Sequence, residues 1–445
     1  MRAKTFIIFL LILTGDAIAG TRYRQGEVKA ITRETVIYKP NTYYISVSGK
    51  DVNSGLTPDE AWATLDKIAT VSFLPGDFIR FKCGDIWRYY ESLRIQIDGA
   101  RMPLTFGSYG HGEKPCFTQS YNRSARSDWN TAGTNIWRSS SIAGDVGMIV
   151  FDGGATWGVK KDNISGVTSL GDFWYDSVNK TILLYALQNP GSIYSAIEIY
   201  IRAPQSYFFD INNRKNLVFE NLAFKYNGAI SIGGMNCDNI KIVNCDFTWV
   251  GGAYQSGTAR YGNAVQFWNC SSNIVVQACR FDQIYDAAIT LQGKDVVNKG
   301  FENCLFTHNI IANTDFPFEF WERGTNVFWK NIEVSDNIII GTGRGFSHGQ
   351  TNTLHGYGMR FAQSTAKVEN FKVFNNIFFW TSGDSMALFV DPNFNGYASI
   401  IFDRNLYSQP IGDLIYYNQK HYQENNFELY QSETRQDMNS KIFNN

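Results

Sequence analysis

The sequence predicts an all-β protein folded as a parallel β-helix, a solenoid in which each coil of strands stacks on the next. Three observations predict this class: short segments that alternate apolar and polar residues, a repeat of those segments along the chain, and no helical periodicity between them. The composition agrees, because 39 glycines and 24 tyrosines in 445 residues are typical of a chain rich in strands and turns.

The repeat is clearest between residues 221 and 407, where seven segments share one pattern. Two of its columns lie two positions apart and are predicted to face the interior. The first consists of Leu222, Cys245, Cys279, Cys304, Asn337, Asn376 and Asn405, and the second of Phe224, Phe247, Phe281, Phe306, Ile339, Phe378 and Tyr407. Parallel strands stack at about 4.8 Å, so like side chains form ladders. We expect the cysteines to pack as buried apolar groups and the asparagines to join their amides from coil to coil.

A second strand is predicted later in each coil. Its inward residues are Ile230, Val265, Ile289, Phe318, Met359 and Leu388. The connection between the first and second strands varies in length far more than the return connection. Insertions gathered at one corner of a solenoid commonly mark a binding face, although neutral drift of surface loops also explains them.

The N-terminal residues 1–19 are predicted to be a signal peptide. Arg2 and Lys4 precede the apolar run from Phe6 to Leu13, and Ala17-Ile18-Ala19 provides a cleavage site after Ala19. The run is too short to span a bilayer. We therefore expect export to the periplasm or out of the cell.

The rest of the chain divides into three predicted parts. Residues 20–75 hold a leading strand and a helix over Pro58–Val71, which caps the open end of the solenoid. Residues 76–410 form the β-helix, interrupted by a small β insertion at 122–203. Residues 411–445 are polar and are expected to be an irregular tail.

The charge balance excludes one class of partner. Lys and Arg number 40 and Asp and Glu 41, for a net charge of −1. We therefore expect no binding to nucleic acid or anionic lipid through bulk electrostatics, and no stretch is long enough for a membrane span. The sequence does not predict the oligomeric state.

A family resemblance follows from these repeats, from the strand Tyr43 to Gly49 and from the turn Pro75-Gly76-Asp77. Together they resemble the pectate-lyase-like superfamily of right-handed parallel β-helices over most of the mature chain. That superfamily includes lyases, hydrolases, epimerases and phage tailspikes. The resemblance implies a right-handed helix and a polysaccharide as substrate or partner, without indicating which polysaccharide.

Two acidic residues occupy equivalent places in neighbouring coils. Asp286 and Asp315 each precede an inward residue, Ile289 or Phe318, by three positions. We expect their carboxyl groups to lie one coil apart, at about 5 Å. Carboxylates so close cannot ionise independently, so one pKa rises or a cation lies between them. An ordinary aspartate in a turn is the alternative for either residue.

The outward positions of the second strand add further candidates. One outward column holds Gln266, Thr290, Glu319 and Arg360, and the next holds Trp268, Gln292, Trp321 and Ala362. Glu319 and Arg360 form either a surface salt bridge or the floor of a cleft. Outward Trp268 and Trp321 suit stacking on sugar rings, unless a loop or partner covers them.

Two long glycine-rich loops lie beside this predicted cleft, and the first of them is expected to overhang its floor. The loop from Gly251 to Tyr261 brings Tyr254, Arg260 and Tyr261, and the loop from Gly341 to Gly358 brings Arg344, His348, His355 and Tyr357. The predicted catalytic residues are therefore Asp286, Asp315, Glu319, Arg360 and His355. The predicted substrate-binding residues are Trp268, Trp321, Arg260, Tyr261, Gln266, Tyr254 and Tyr357.

These residues leave three functions open. We favour β-elimination on an acidic, uronic-acid-containing extracellular polysaccharide, since three carboxylates with two arginines and a histidine exceed what a hydrolase needs. In that reaction Asp286, Asp315 and Glu319 could hold Ca²⁺ through oxygen ligands. The alternatives are a glycoside hydrolase that uses paired carboxylates and a non-catalytic, carbohydrate-binding β-helix.

Overall fold

The structure is a computed structural model that describes residues 39–99, 102–348, 350, 356–380, 385–394 and 396–443. The chain divides into two units, and the unit that begins at Pro40 is the one described below. The predicted signal peptide and its cleavage site lie outside the described residues.

One continuous sheet of 26 strands coils through the described part of the chain. The strands pair in parallel, apart from the antiparallel pair Ile415–Tyr417 and Lys420–Tyr422. The remaining strands are Thr42–Ile45, Phe78–Lys82, Ile86–Arg88, Leu93–Arg94, Leu104–Tyr109, Cys116–Thr118, Tyr207–Asp210, Lys215–Glu220, Ala223–Asn227, Ile230–Val243, Asp246–Val250, Val265–Gln277, Arg280–Val297, Gly300–Thr307, Ile310–Thr325, Phe328–Ser335, Ile338–Ile340, Gly356–Phe361, Lys367–Phe374, Ile377–Phe379, Ser385–Val390, Ile400–Asp403, Leu406–Ser408 and Lys441–Ile442.

Each coil contributes to three faces, which we call the first, second and third sheets. The first sheet includes Ala223–Asn227 and Asp246–Val250, and the second includes residues 265–268, 289–292 and 318–321 with Gly356–Phe361 and Ser385–Val390. The third includes Gly300–Thr307, Phe328–Ser335 and Lys367–Phe374. Long strands bend around the corners and belong to two sheets. The predicted parallel β-helix is confirmed.

Aromatic ladders fill the interior, as the repeat predicts. Phe247 stacks between Phe224 and Phe281, with ring centroids 5.0 and 4.9 Å away. All three rings are buried. Each coil thus covers the apolar face of the one before it, which is how a solenoid gains stability from its neighbours.

The register corrects the predicted place of Cys304. Arg280 pairs with Ile310, so Asn309 is the neighbour of Cys279 in the next coil. Cys304 lies in the third sheet between Ile274 and Ile332. All seven cysteines are free thiols, and Cys245, Cys279 and Cys304 are buried as predicted.

A second correction concerns Ile230. Val265 pairs with Ile232, whereas Ile230 pairs with Tyr207. A shift of two residues keeps a side chain on the same face of a strand, so alternation alone does not detect it. The other predicted inward residues of the second sheet pair with one another as expected: Val265, Ile289, Phe318, Met359 and Leu388.

The predicted asparagine ladder is present inside one corner and begins at Asn309. Its Nδ2 donates to Oδ1 of Asn337 at 3.0 Å, and the same bond joins Asn337 to Asn376 at 2.9 Å and Asn376 to Asn405 at 3.1 Å. Each Nδ2 also donates to a backbone carbonyl, for example that of Val276. Nδ2 of Asn405 donates to the buried Asp437, where the ladder ends.

Two cysteine variants test this register. The Cys279 thiol faces the carbonyl oxygens of Ile242 and Gln277 at 3.5 and 3.3 Å, in the place that Asn309 takes one coil later. A serine hydroxyl there would find partners, so Cys279→Ser is expected to cost at most about 1 kcal/mol in free energy of unfolding. The Cys304 thiol lies between Ile274 and Ile332 and has one carbonyl nearby, that of Glu302 at the longer distance of 3.7 Å. Cys304→Ser is therefore expected to cost more, about 1–3 kcal/mol. Denaturant unfolding measures both, and equal losses would contradict the register.

The N-terminal cap differs from the predicted single helix over 58–71. Pro58–Glu60 forms one 3₁₀ turn, and helix α1 covers only Leu65–Thr70, with Thr64 capping its N-terminus. Between them the chain is extended, because Trp62 forms a parallel bridge with Ile45. Trp62, Leu65 and Ile68 are nevertheless buried against the first coils.

The insertion consists of two small sheets and helix α2, Pro190–Ile193. The four-stranded sheet has the order Thr156–Trp157, Val146–Phe151, Ile197–Ile201, Ser120–Asn122, and the five-stranded sheet has the order Val159–Lys160, Asp172–Asp176, Thr181–Tyr185, Ile136–Ser140, Asn130–Gly133. Their shared core includes Tyr226, Trp249, Tyr285 and Phe346 of the solenoid. The insertion is therefore packed on the β-helix rather than tethered beside it.

The C-terminal region is more ordered than predicted. After residue 411 it contains the antiparallel pair described above, helix α3 over Phe427–Thr434 and the strand Lys441–Ile442, which pairs with Leu406–Ser408. Phe427 and Tyr430 are buried in the main core. These residues cover the last coil, which corrects the expectation of an irregular tail.

Candidate functional site

The second sheet brings the predicted carboxylates together. Thr290 pairs with Glu319 and Glu319 with Arg360 on successive coils, as the sequence predicts. Ala287 pairs with Phe316, so Asp286 and Asp315, which precede them, occupy adjacent coils. The three acids and one guanidinium thus belong to one patch of the outer wall.

Glu319 is held by two neighbours. Its side chain is almost fully buried, with 4% exposed, and Nη1 of Arg360 donates to its Oε1 at 2.5 Å. The amide of Gln292 donates to the other oxygen. The guanidinium of Arg360 also lies 4.7 Å from the ring centre of Phe316. Burial raises the pKa of Glu319, whereas Arg360 and Gln292 oppose that rise by stabilising the ionised form.

Asp286 and Asp315 lie in a less favourable place for charge. Burial is the main cause that raises the pKa of Asp315 to about 7; Glu319 adds to the rise, while Ser347 and Arg360 oppose it. Burial and then the charge of Glu319 raise the pKa of Asp286 well above its usual range. The cluster therefore places two carboxyl groups whose surroundings favour the protonated form beside a carboxylate that a guanidinium neutralises, which is how acid and base roles are commonly separated.

A pocket of about 250 Å³ opens beside this cluster. Its lining consists of Glu319, Trp321, Arg323, Arg360, Ala362, Gln363 and Asp391. Trp268 and Trp321 meet edge to face, with ring centroids 5.3 Å apart, and Arg323 lies 5.3 Å from the Trp321 ring centre. A larger pocket of about 760 Å³ is lined by residues of the C-terminal region, and none of the acids in the cluster lines it.

Asp391 and Arg323 were not among the predicted site residues. Phe361 pairs with Val390, and Asp391 N donates to Phe361 O at 2.8 Å. Asp391 therefore continues the column that contains Trp321 and Ala362. Extending that column by one coil would have found it.

Arg260, a predicted substrate-binding residue, lies between the insertion and the solenoid. Its Nε donates to Gly252 O at 2.6 Å, Nη2 to Gly147 O at 3.1 Å and Nη1 to the Gln350 side chain at 2.9 Å. Its guanidinium lies 4.6 Å from the ring centre of Tyr285. These contacts use Arg260 to hold the insertion against the solenoid.

Tyr254 and Tyr261 have similar structural surroundings. Tyr254 OH donates to Asp162 at 2.6 Å, and Nζ of Lys160 lies 3.7 Å from the Tyr254 ring centre. Tyr261 is buried in a small cluster with Ile230. The hairpin that carries them consists of Ala253–Ser256 and Ala259–Tyr261. It packs against the insertion, which corrects the expectation that this loop overhangs the cleft.

The other predicted binding residues have mixed positions. Gln266 is buried and accepts from Nδ2 of Asn263 at 2.6 Å. Tyr357 is half-buried and stacks between Phe316 and Phe389, at 5.8 and 4.4 Å, on the strand that carries Arg360. His355 lies outside the described residues.

No calcium site can be recognised in the part of the chain that the structure describes. There, no group of three or more His, Cys, Asp or Glu side chains is arranged to hold a metal ion. Oxygens of Glu319 already accept from Arg360 and Gln292, and a guanidinium beside the carboxylate opposes a second cation. Ca²⁺ stays a prediction, and no step proposed below passes through it.

Trp321 is the aromatic side chain that lines the pocket. Trp321→Ala is expected to raise KM about tenfold, or about 1.4 kcal/mol, because a sugar would lose its stacking surface while the carboxyl cluster is unchanged. Trp321→Phe keeps a ring and should recover most of that loss. Initial rates on an active glycan measure both variants, and an altered cleavage product in the alanine variant would contradict this role.

Comparison with known proteins supports the architecture. Residues 186–373 match the family model described as the right-handed β-helix region. The solved structure of a glycoside hydrolase aligns with a TM-score of 0.50 and 10% sequence identity, over 85% of this chain and 95% of that one. Pectate lyase Pel9A aligns with a TM-score of 0.40 and 13% identity, over 86% and 79%.

An exopolygalacturonase from Yersinia enterocolitica gives a TM-score of 0.37 and 9% identity, over 91% of this chain and 78% of that chain. No curated protein matches the sequence. At 10% identity, the similarity to the glycoside hydrolase shows the fold alone. The protein is a right-handed parallel β-helix, and its chemistry has to be argued from its own residues.

Proposed function

We propose that the protein is a glycoside hydrolase. One observation carries the proposal: the buried cluster sets two carboxyl groups with raised pKa, Asp286 and Asp315, beside Glu319, which Arg360 holds as an ion pair. Glycoside hydrolysis needs one carboxylic acid and one carboxylate around the scissile bond. The adjoining pocket supplies an aromatic ring and polar groups suited to a sugar.

Asp286 is the better candidate for the acid, since it is more exposed than Asp315. Glu319 has little exposed surface, but it lines the pocket and can face a sugar there. Asp286 would donate its proton to the leaving glycosidic oxygen as that bond breaks. Glu319 would stabilise the positive charge that develops on the sugar ring, by direct attack or by activating water. Water then supplies the new hydroxyl at the anomeric carbon. After direct attack, the bond between Glu319 and the sugar breaks and the remaining proton of the water returns to Asp286; after water activation, Glu319 takes that proton and Asp286 is reprotonated from solvent.

Charge is the reason for preferring hydrolysis over the β-elimination favoured from the sequence. Elimination from a uronate needs cations that neutralise the substrate carboxylate. Arg360 is already paired with Glu319, and Arg260 is used between the insertion and the solenoid.

β-Elimination stays the second candidate because of one feature of the pocket. Arg323 and Arg360 both line it, and two guanidinium groups can face a uronate carboxylate. The same pocket could bind a glycan without cleaving it, which is the non-catalytic alternative.

Product analysis distinguishes the three functions. The purified protein is incubated with neutral and acidic polysaccharides in ¹⁸O-labelled water, and reducing ends, label uptake and absorbance of unsaturated sugars are followed. Labelled reducing ends without absorbance support hydrolysis. Absorbance without label would establish elimination, and binding without any product would establish a carbohydrate-binding module.

We also propose that the protein is exported, on the strength of the predicted signal peptide. Within the residues that the structure covers, no helix combines the length and apolarity that crossing a membrane requires. Expression in a bacterial host followed by N-terminal sequencing of the exported protein tests this, and a mature chain beginning at Gly20 is expected. Retention of the intact chain in the cytoplasm would contradict it.

A further inference from the structure

One amide side chain, that of Gln350, ties several segments of the chain together. Its Oε1 accepts from Nη1 of Arg260 at 2.9 Å and from the backbone N of Lys160 at 3.4 Å. Its Nε2 donates to the carbonyl oxygens of Gly158 at 3.3 Å and Phe346 at 3.0 Å. A carboxamide offers two donor hydrogens and two acceptor lone pairs, so every one of these is used.

Those partners come from separate parts of the fold. Gly158 and Lys160 belong to the insertion, and Arg260 belongs to the hairpin Ala253–Ser256 with Ala259–Tyr261. The backbone oxygen of Gln350 accepts from Tyr285 OH at 3.0 Å, and Tyr285 directly precedes the acid Asp286. Gln350 is thus the point where the insertion, the hairpin and the strand Arg280–Val297 meet.

The same turn reaches Asp315. The backbone N of Gln350 donates to Ser347 O at 2.8 Å, and Oγ of Ser347 donates to Oδ1 of Asp315 at 3.0 Å. On the other side, Phe346 N donates to Oε1 of Gln283 at 2.8 Å. These bonds fix the turn and aim the Ser347 hydroxyl at the carboxyl group.

We propose that Gln350 is a positioning residue of the carboxyl cluster: it holds Ser347 against Asp315 and Tyr285 beside Asp286, so that the insertion sets the geometry of the acids. This inference rests on the proposed glycosidase function and names a role that none of the three candidate reactions assigns. The carboxyl group of Asp315 is faced by four other groups, Glu319, Arg360, Asp286 and Tyr285. Ser347 donates a hydrogen bond to Asp315, and its position is set by the turn that Gln350 holds.

Gln350→Leu removes all four amide contacts while keeping a side chain of similar size. Its kcat is expected to fall about ten- to a hundredfold with little change in KM, because the acids are displaced and the pocket is not. The Ser347 hydrogen bond lowers the pKa of Asp315, and Asp315 interacts with both Asp286 and Glu319. The limb of the pH profile that reports this coupled cluster is therefore expected to move to higher pH. Ser347→Ala is expected to give the same shift.

Arg88→Met is the matched control. Arg88 and Glu198 form a 2.7 Å ion pair that joins the insertion to the early coils without involving Gln350. This variant is expected to lower Tm and leave the pH profile unchanged. If Gln350→Leu and Arg88→Met change kcat and the pH profile alike, Gln350 has only a structural role and the inference is overturned.

A second measurement keeps the inference separate from the proposed function. Absence of turnover by the wild type on every glycan refutes the glycosidase. In that case Tm is measured against pH for the wild type and for Ser347→Ala and Gln350→Leu, because a changed pKa of Asp315 changes the pH dependence of stability. A shift shared by both variants supports positioning of Asp315, and curves parallel to the wild type overturn it.

Discussion

Asp286→Asn is expected to lower kcat by about 10²- to 10⁴-fold, the usual contribution of a general acid. Asparagine has nearly the same shape as aspartic acid but cannot give up a proton to the leaving oxygen. Burial and Glu319 raise the pKa of Asp286, which favours the protonated form, so the variant removes the proton that these surroundings stabilise. Steady-state kinetics on the glycan found active measures the loss, and unchanged circular dichroism shows that the fold is intact.

The control for this variant is Asp282→Asn. Asp282 lies on the same strand, four residues earlier, and accepts from Nδ2 of Asn313 at 2.7 Å outside the cluster. The Asp282→Asn variant removes one carboxyl group from the same strand and should leave kcat within about twofold of the wild type. Wild-type turnover by Asp286→Asn would remove this residue from the reaction and leave Asp315 as the acid.

Glu322→Gln is expected to make the protein more stable at neutral pH. Glu322 is fully buried, and within the described residues its two carboxyl oxygens have no well-aligned hydrogen-bond partner. Its side chain lies against Gly293 of the preceding coil, where a Cβ would come within 3.1 Å of it. Burial is the main cause that raises its pKa from 4.5 to about 8, and the Trp329 indole opposes this only in part.

The sign follows from the raised pKa. Below pH 4.5 the carboxyl group is protonated in both the folded and the unfolded chain, so its ionisation does not change the free energy of unfolding. Between pH 4.5 and about 8 the unfolded chain releases this proton and the folded chain keeps it, so stability falls as the pH rises. At pH 7 the cost is on the order of 3 kcal/mol.

Glutamine cannot ionise, so the variant is expected to gain about 1–3 kcal/mol at pH 7 and little near pH 4. Urea unfolding at both pH values measures the difference. The half-exposed Glu302, which pairs with Lys330 at 3.4 Å, provides the control, and Glu302→Gln should change stability little at either pH. A gain by Glu322→Gln that is equal at both pH values would contradict the ionisation argument.

The fold could be predicted from the sequence because strand alternation and the repeat report the same physical fact, the burial of every second side chain. The prediction was wrong where strands in different sheets of the solenoid share the same pattern of alternation. Cys304 and Phe306 have the same spacing as Cys279 and Phe281, yet they lie in a different sheet. Nothing in alternation distinguishes two inward-facing strands of the same coil.

The candidate site was predicted in part for the same reason. Asp286, Glu319 and Arg360 follow from register within the second sheet, which alternation sets well. Arg260 and Tyr254 were assigned to substrate because their loop was expected to overhang the cleft, whereas it packs against the insertion. Contacts between segments about 100 residues apart, such as Arg260 with Gly147, leave no periodic trace in a single sequence.

The asparagine ladder has a direction, and that direction determines where further coils could be added to the β-helix. Every Nδ2 in it points toward the C-terminus, and the last meets the carboxyl group of Asp437, which also accepts from the hydroxyls of Tyr430 and Ser440. The carboxyl group of Asp437 ends the ladder, because it accepts hydrogen bonds and has no amide hydrogen to donate to a following coil. Coils duplicated before Asn405 could lengthen the β-helix and keep the ladder intact. Coils added after Asn405 would continue the ladder only if Asp437 were replaced by a residue with a side-chain amide.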